Sequence, residues 1–515
     1  MGSSVEIIAV SGFTLPDDLT VVHNLTVGNT LFLPTGLITT GSTAIPYIHR
    51  TGTDSFFAGA GAGNTAATGA GYNTGIGVGA LANTSNNAAC LNNTAVGAGA
   101  LSTMTTQYGN TAIGYDAGRY VTAAQNTAVG SQAMQGVSAT PLTQINNTAL
   151  GYKTGMLLQG TATNNTLLGA NAGRYVTTGN NNTLIGSAAG ESIITGTDNT
   201  AVGANALTGL VSSTSGLTAI GSGALAANTS GVNNTAVGYQ AGHSMITGYG
   251  NTTIGYDAGQ YVTAAQNTAV GSQAMQGVSA TPLIAINNAA LGYKAGLALQ
   301  GSATNNTLLG ANAGRAVTTG SNNTFVGQYA GQPITTGSNN IIIGNAAGSS
   351  YTATNGSNIC IGNAGSANET NTIRIGTQGS GAGQQNACYI AGIRDKTTGV
   401  ANAIPILIDS NGQLGTISSS RRYKENIVSL SSQDRFMQLN PVTFNYKTDE
   451  SRSTQYGLIA EEVDELYPEL VNRNKDGEIE AIKYHELDGI LIREIQENRR
   501  LIAALTARIA ALEQR

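Results

Sequence analysis

Between Asn64 and Gly376 the chain repeats one short polar and apolar pattern, Asn-Thr-x-(Val/Ile/Leu)-Gly. Its closing glycines run from Gly97, Gly114, Gly130 and Gly151 to Gly362, with a looser copy at Gly376 and a degenerate one at Gly77. Neighbouring full copies are 16–18 residues apart, except for two spacings of 21. The spacings themselves recur. Tyr108-Gly-Asn-Thr-Ala-Ile-Gly returns as Tyr249-Gly-Asn-Thr-Thr-Ile-Gly, 141 residues later, so a block of eight units has been duplicated. A near-constant period with Gly and Asn at fixed phase predicts a solenoid. Each unit holds one short apolar run and often a second in Ala-Gly-x-x-(Val/Ile/Leu). This predicts two short strands per coil, with Gly and Asn at corners that need positive φ. Stacking then sets Val or Ile on Val or Ile, and Asn on Asn. At about 4.8 Å per coil the repeats make a rod of roughly 80 Å. A coil this thin buries little, which argues for association. A trimer around a three-fold axis is the natural closed solution.

The flanks follow other patterns. Val21–Pro34 partly alternates apolar and polar residues, so residues 1–50 are expected to form a small β attachment region before a repeat body over 51–376. Over 377–418 the repeat fades into a β neck. There Ile406-Leu407-Ile408 and Leu414-Gly415-Thr416-Ile417 flank a turn at Asp409-Ser410-Asn411-Gly412, which predicts a hairpin. Near the C-terminus Leu491, Ile495, Asn498, Ile502, Leu505, Ile509 and Leu512 alternate spacings of four and three. That seam predicts a coiled coil over 488–515, with Asn498 as a polar core residue that sets register.

Composition sharpens this division. Gly makes up 69 of 515 residues, and 66 of those precede Arg421. Of the 51 charged residues, 31 lie in Arg421–Arg515, so a Gly-rich body is followed by a charged, conventional tail. A net charge of −5 argues against nucleic-acid binding through a basic face. No apolar stretch is long enough to span a membrane, and the opening MGSSVEIIAVSGF does not read as a signal peptide. Cys90, Cys360 and Cys388 are too scattered for a framework and read as small buried hydrophobes. His23, His49, His243 and His485 form no metal-ligand pattern, so no metal and no cofactor is expected. Gly59–Gly63 lacks the spacing of a phosphate loop. The many Asn-x-Ser/Thr sequons read as coil corners rather than glycan sites. Tyr115, Tyr152, Tyr239, Tyr256 and Tyr293 directly follow repeat glycines and read as packing along the solenoid face, with a receptor- or sugar-stacking stripe as the other option. Asp116 and Asp257 are duplicates of one position rather than a catalytic pair.

The repeats over Asn64–Gly376 resemble the heads of trimeric autotransporter adhesins, which implies a left-handed parallel β-roll in a trimer and no active site. The tail carries a more specific likeness. Its motifs are Ser418-Ser419-Ser420-Arg421-Arg422-Tyr423-Lys424-Glu425-Asn426-Ile427, Leu439-Asn440-Pro441-Val442-Thr443-Phe444, Tyr456-Gly457-Leu458-Ile459-Ala460-Glu461-Glu462-Val463 and Leu466-Tyr467-Pro468-Glu469-Leu470-Val471. Over 419–515 these resemble the S74 peptidase family, the intramolecular chaperone of phage tail spikes and endosialidases. The resemblance implies a small α+β chaperone domain over 419–487. It also implies a self-cleaving, single-turnover serine peptidase, with Ser419 and Lys424 as catalytic residues and Arg422 in support. The family pattern Ser-Asp-x-Arg-x-Lys is broken at its second position, where this chain has Ser420. A serine hydroxyl needs a base to take its proton. A lysine can act as that base only when burial or nearby positive charge keeps it neutral, and Arg421 and Arg422 could supply the charge. Attack by Ser419 on the preceding carbonyl closes a five-membered ring, which favours Ser418–Ser419 as the scissile bond, with Ser419–Ser420 as the other option. The expected fold class is therefore mainly β: a homotrimeric β-roll solenoid, an α+β chaperone and a coiled coil. The expected function is a viral or phage-type fibre on a virion. Its partners are two further copies of itself, a host-surface receptor or glycan, and the particle through its N-terminus. The alternative is a secreted or cell-surface adhesin using the same chaperone.

Overall fold

The computed structural model describes residues 38–39, 46–49, 54–63, 71–84, 90–209, 213–377, 381–385, 387–390, 393, 404–409, 412–474 and 476–514. The chain divides into two units, Met1–Asn386 and Ala387–Arg515. Val21–Pro34, His23 and the tip of the neck turn lie outside the described residues. Of the expected attachment region, the strands Ile38–Thr39 and Pro46–His49 are described. They pair antiparallel, and the second continues antiparallel onto Phe56–Ala58.

From Phe56–Ala58 to Ile373–Ile375 the first unit is a parallel β-solenoid. Each coil contributes a three-residue strand that pairs in register with the next. Thr94, Ala95 and Val96 lie over Thr111, Ala112 and Ile113, which lie over Thr127, Ala128 and Val129. The middle residue points inward and is buried in every strand from Phe56–Ala58 to Ile359–Ile361. It is most often alanine, because a thin coil has room for little more beside Leu, Met or Val from the opposite wall. The third residue, the larger Val, Ile or Leu, points outward.

From Gly59 to Gly327 the glycine after each strand is a packing requirement. A Cβ built on Gly238, at φ 136°, would lie 2.3 Å from the carbonyl oxygen of Gly255 in the next coil. The equivalent atom on Gly114, at φ 135°, would lie 2.5 Å from the oxygen of Gly130. Any side chain here would push adjacent coils beyond strand-pairing distance.

The asparagine that opens each strand is buried and forms an internal ladder. The Oδ1 of Asn306 accepts the backbone N–H and the side-chain Nδ2 of Asn323, each at 3.1 Å. Its own Nδ2 donates to Asn288 Oδ1 at 3.0 Å and to the Gly320 carbonyl at 2.9 Å. Such residues are buried because every polar group they carry is satisfied. The ladder breaks where Leu217 replaces the asparagine, so Asn199 Oδ1 accepts only the Leu217 N–H, at 3.1 Å. The residue just before each ladder asparagine sits at the corner, as read from the sequence. Asn92, Asn146, Asn164 and Asn181 there have φ of 58°, 64°, 56° and 57°.

One expectation is corrected. Each coil holds one strand, not two. The second pass, over segments such as Gly114–Val121, is a run of tight turns: Ala117 N–H donates to Gly114 O at 3.3 Å and Val121 N–H to Gly118 O at 3.0 Å. Those turns need left-handed residues, and Asp116 and Gly118 have φ of 54° and 60°. The turns still bond to the next coil, through Gly118 N–H to Ala133 O at 2.9 Å and Tyr120 N–H to Gln135 O at 2.8 Å. What is left of a second ladder is isolated parallel bridges such as Val121 to Leu142.

In the second unit the neck hairpin forms, with Leu407–Ile408 antiparallel to Leu414–Gly415. Asp409 fastens it, its Oδ1 accepting the Gln413 N–H at 2.9 Å. Two further antiparallel pairs follow: Val442–Phe444 with Gln455–Gly457, and Val471–Arg473 with Ile479–Ile482. Helix α1 spans Ala460–Leu466 and helix α2 spans Tyr484–Glu513. A small core gathers Val463, Tyr467, Leu470, Val471 and Ile490. Helix α2 runs unbroken through residues 487 and 488. Its first half packs on this core, while Ile502, Leu505, Ile509 and Leu512 are exposed. Cys90 and Cys360 are buried as expected, but Cys388 is exposed, because it lies beyond the last coil.

Candidate functional site

The Ser419 to Lys424 segment lies between the neck hairpin and the small core. It is extended up to Ser420, then makes one turn of 3-10 helix at Arg421–Tyr423. Ser418 Oγ accepts the Ser420 N–H at 3.3 Å. Tyr423 N–H donates to Ser420 O and Lys424 N–H to Arg421 O, both at 3.1 Å. Ser419 and Lys424 therefore stand at opposite ends of one tight turn, a placement that needs nothing beyond local hydrogen bonding. Arg422 lies over the Tyr423 ring, 4.7 Å from its centroid. That stacking turns the guanidinium toward an aromatic face.

Ser418, Ser419, Ser420, Arg422 and Lys424 are all exposed. Among the described residues, no hydrogen bond joins the Ser419 and Lys424 side chains. Ser419 and Lys424 flank this turn, and among the described residues nothing buries the lysine. The next residues are also uncovered: Tyr423, Ile427, Val428 and Leu430 are exposed apolar side chains beside the turn.

What holds this segment to its domain lies ten residues on. Glu494 of α2 is buried, and its carboxylate accepts the Gln433 N–H at 2.7 Å and the Ser432 hydroxyl at 2.9 Å. It thereby caps the 3-10 helix Asp434–Gln438 from a distance. Arg435 follows, with its guanidinium 3.9 Å from the centroid of the Tyr467 ring. It donates to Leu466 O at 2.8 Å and pairs with Glu469 at 2.7 Å. Burial pushes the Tyr467 hydroxyl up in pKa, against the pull of Arg435. Sequence reasoning did not find this clamp. Its one signal is Glu494, an acidic residue four positions after Ile490 on the inward face of α2.

Residues 419–472 match the peptidase S74 family, the chaperone of endosialidase. The match begins at Ser419 and takes in the exposed turn, the pair Val442–Phe444 with Gln455–Gly457, α1 and the start of Val471–Arg473. It stops short of α2, so the S74 segment ends before the helix whose Glu494 pins it. Neither the curated proteins nor the solved structures contain a match to the chain.

The remaining residues singled out from the sequence fall elsewhere. Tyr115, Tyr152, Tyr239, Tyr256 and Tyr293 are about half exposed on the solenoid, and the Tyr239 and Tyr256 rings stack at 5.4 Å. Lys153 and Lys294 cover the rings of Tyr152 and Tyr293, at 5.0 and 4.9 Å. Asp116 and Asp257 are buried in the second pass of their coils. Among the described residues, no group of three or more His, Cys, Asp or Glu side chains is placed to hold a metal ion.

Proposed function

We propose that this chain is the subunit of a homotrimeric viral or phage-type fibre, with the β-solenoid as receptor-binding shaft and the S74 segment as an intramolecular trimerisation chaperone. The observation that carries the reading is the outward column of aliphatic residues on the solenoid sheet. Ile113, Leu168, Ile220, Ile254, Leu291 and Ile343 stand in it with 36–48% of their surface exposed. A continuous apolar stripe along a shaft is an association surface. Two further copies would cover it, and would cover the exposed seam of α2 as a coiled coil. The same association would bury the segment from Ser419 to Leu430 and dry Lys424 beside Arg421 and Arg422. This arrangement makes cleavage conditional on assembly.

In the cleavage step Ser419 Oγ attacks the Ser418 carbonyl carbon, and neutral Lys424 takes the hydroxyl proton. The C–N bond then breaks, the amine of residue 419 receives that proton, and an ester joins Ser418 to the Ser419 oxygen. One water hydrolyses the ester. The released chaperone leaves a shaft that cannot retrace its folding path, held by a kinetic barrier. The test is intact-mass spectrometry of the full chain and of Ser419→Ala, with sedimentation analysis of both. Two wild-type fragments summing to the chain plus one water, an intact variant and a threefold mass in solution are expected. A single uncleaved wild-type species would remove the peptidase role, and a monomer would remove the fibre reading.

A further inference from the structure

The second unit carries an apolar groove and, on the same chain, an apolar segment that does not lie in it. The groove has a volume of about 820 Å³, and its walls include Leu439, Val442, Tyr456, Leu458, Leu487 and Leu491. They come from the end of the 3-10 helix Asp434–Gln438, the strand pair Val442–Phe444 with Gln455–Gly457, and the first turns of α2. The segment is Ile427–Leu430. Its three aliphatic side chains are exposed, Val428 to 85%.

Position relates the segment of one copy to the groove of another. Leu491 lines the groove and also opens the apolar seam of α2. Glu494, about 4.5 Å further along the helix axis, holds Ser432 and Gln433 at 2.9 and 2.7 Å. Leu430 stands two residues before Ser432. Each segment is therefore tethered to its own α2 within a turn of Leu491. Where seams pair in parallel register, the neighbouring copy presents its Leu491, and the groove beside it, at that same level.

Charge relates them as well. Arg421, Arg422 and Lys424 precede the segment, against Glu425 alone. The groove has an acidic rim. Glu461 and Glu462 open α1, and Asp488 follows Leu487. Glu462 Oε2 accepts from Asn440 Nδ2 at 3.4 Å, and Asn440 sits between the lining residues Leu439 and Pro441. A basic segment and an acidic rim steer two copies together and fix which surfaces meet.

We propose that the Ile427–Leu430 segment of each copy lies in the groove of a neighbouring copy, so that three copies exchange segments in a closed ring. The inference rests on the homotrimer proposed above and adds which surfaces meet. The rim carboxylates answer the two arginines, while entry into an apolar groove takes the adjoining turn out of water, and burial alone favours a neutral Lys424. Each Ser419–Lys424 turn is then completed by a chain other than its own.

The test places a photoreactive benzoylphenylalanine at Val428 in the full chain carrying Ser419→Ala, so that the chain stays whole. Sedimentation comes first. A threefold mass is expected, and a monomer would remove the homotrimer reading and this proposal together. After illumination, adducts should run on denaturing gels at two and three chain masses. Tryptic mapping should join residue 428 to Phe436–Lys447, Ser453–Arg473 or Tyr484–Arg493 of another chain. Tyr456→Asp sets a charge in the groove at a position 82% exposed. It should cut the adduct by about fivefold or more, because a buried unpaired charge is costly, with the threefold mass unchanged. A trimer that gives no adduct, an adduct within one chain, an adduct to the solenoid, or a yield unmoved by Tyr456→Asp would overturn the exchange and leave the homotrimer standing.

Discussion

The asparagine ladder can be tested in both directions, because the chain carries its own natural break. Replacing Asn306 by leucine removes the acceptor of the Asn323 N–H and of one Asn323 Nδ2 proton, together with the donor to Gly320 O. Asn306 and Asn323 are both fully buried, so water cannot substitute. Each buried group left unsatisfied costs about 1–3 kcal/mol. Two newly orphaned backbone groups therefore give a loss of about 2–6 kcal/mol, concentrated in the coils on either side. The reverse change is Leu217→Asn, which returns an acceptor to the Asn234 N–H and should stabilise its neighbourhood by about 1 kcal/mol. Hydrogen exchange read coil by coil is the assay, since a solenoid opens locally as well as globally. Protection of the Asn323 amide should drop in Asn306→Leu and that of the Asn234 amide should rise in Leu217→Asn. If Asn306→Leu leaves exchange within twofold of wild type, the ladder is filler and the reasoning fails.

Three further outcomes follow from the same packing. Gly238→Ala forces a Cβ to 2.3 Å from Gly255 O at φ 136°; strain of about 1–3 kcal/mol from the backbone alone should show as protease nicking near the Gly238 coil and none near Gly114. Phe325→Ala empties a middle position that, like that of Phe57, holds one of the sheet's two buried phenylalanines, here at 0% exposure, and should lose about 3–5 kcal/mol in calorimetry, with Phe325→Leu recovering most of it. Glu494→Ala leaves the Gln433 N–H and the Ser432 hydroxyl without their acceptor. It should release the segment ahead of Asp434, seen as faster amide exchange at residues 432–438 and a lower yield of cleaved chain, while the solenoid amides stay unchanged.

The periodic half of each coil was legible in the sequence because its constraints act on single residues. The strand glycine must lack a Cβ, and the ladder asparagine must carry both a donor and an acceptor. Those requirements repeat at fixed phase. The second pass was misread as a strand because its conformation comes from stacking. Leu101, Met134, Leu207 and Leu225 adopt left-handed φ of 48–55° there, which no local preference for leucine or methionine would suggest. The coils above and below fix the hydrogen-bond positions, and the residue conforms. At the candidate site the order of Ser419, Arg422 and Lys424 was readable as a motif, and the turn that joins them is local. The Glu494 clamp was not readable, since it joins residues 62 positions apart. The exposure of Lys424 was not readable either, since it depends on what the rest of the fold leaves uncovered; among the described residues nothing covers it.

The glycine column has one more consequence. The units closing at Gly151 and Gly292 span 21 residues where others take 16–18, yet each still adds one strand and one step of the ladder. The surplus in the first of them leaves at the far side of the coil, where Ser138, Ala139 and Thr140 are exposed. Height along the shaft is therefore counted in coils, and residues beyond the minimum become outward loops at a chosen level. Doubling eight coils lengthens the shaft by a fixed increment of about 38 Å without redesigning any joint. A lineage carrying this chain can alter the length of the solenoid and what protrudes from it at each height as two separate changes.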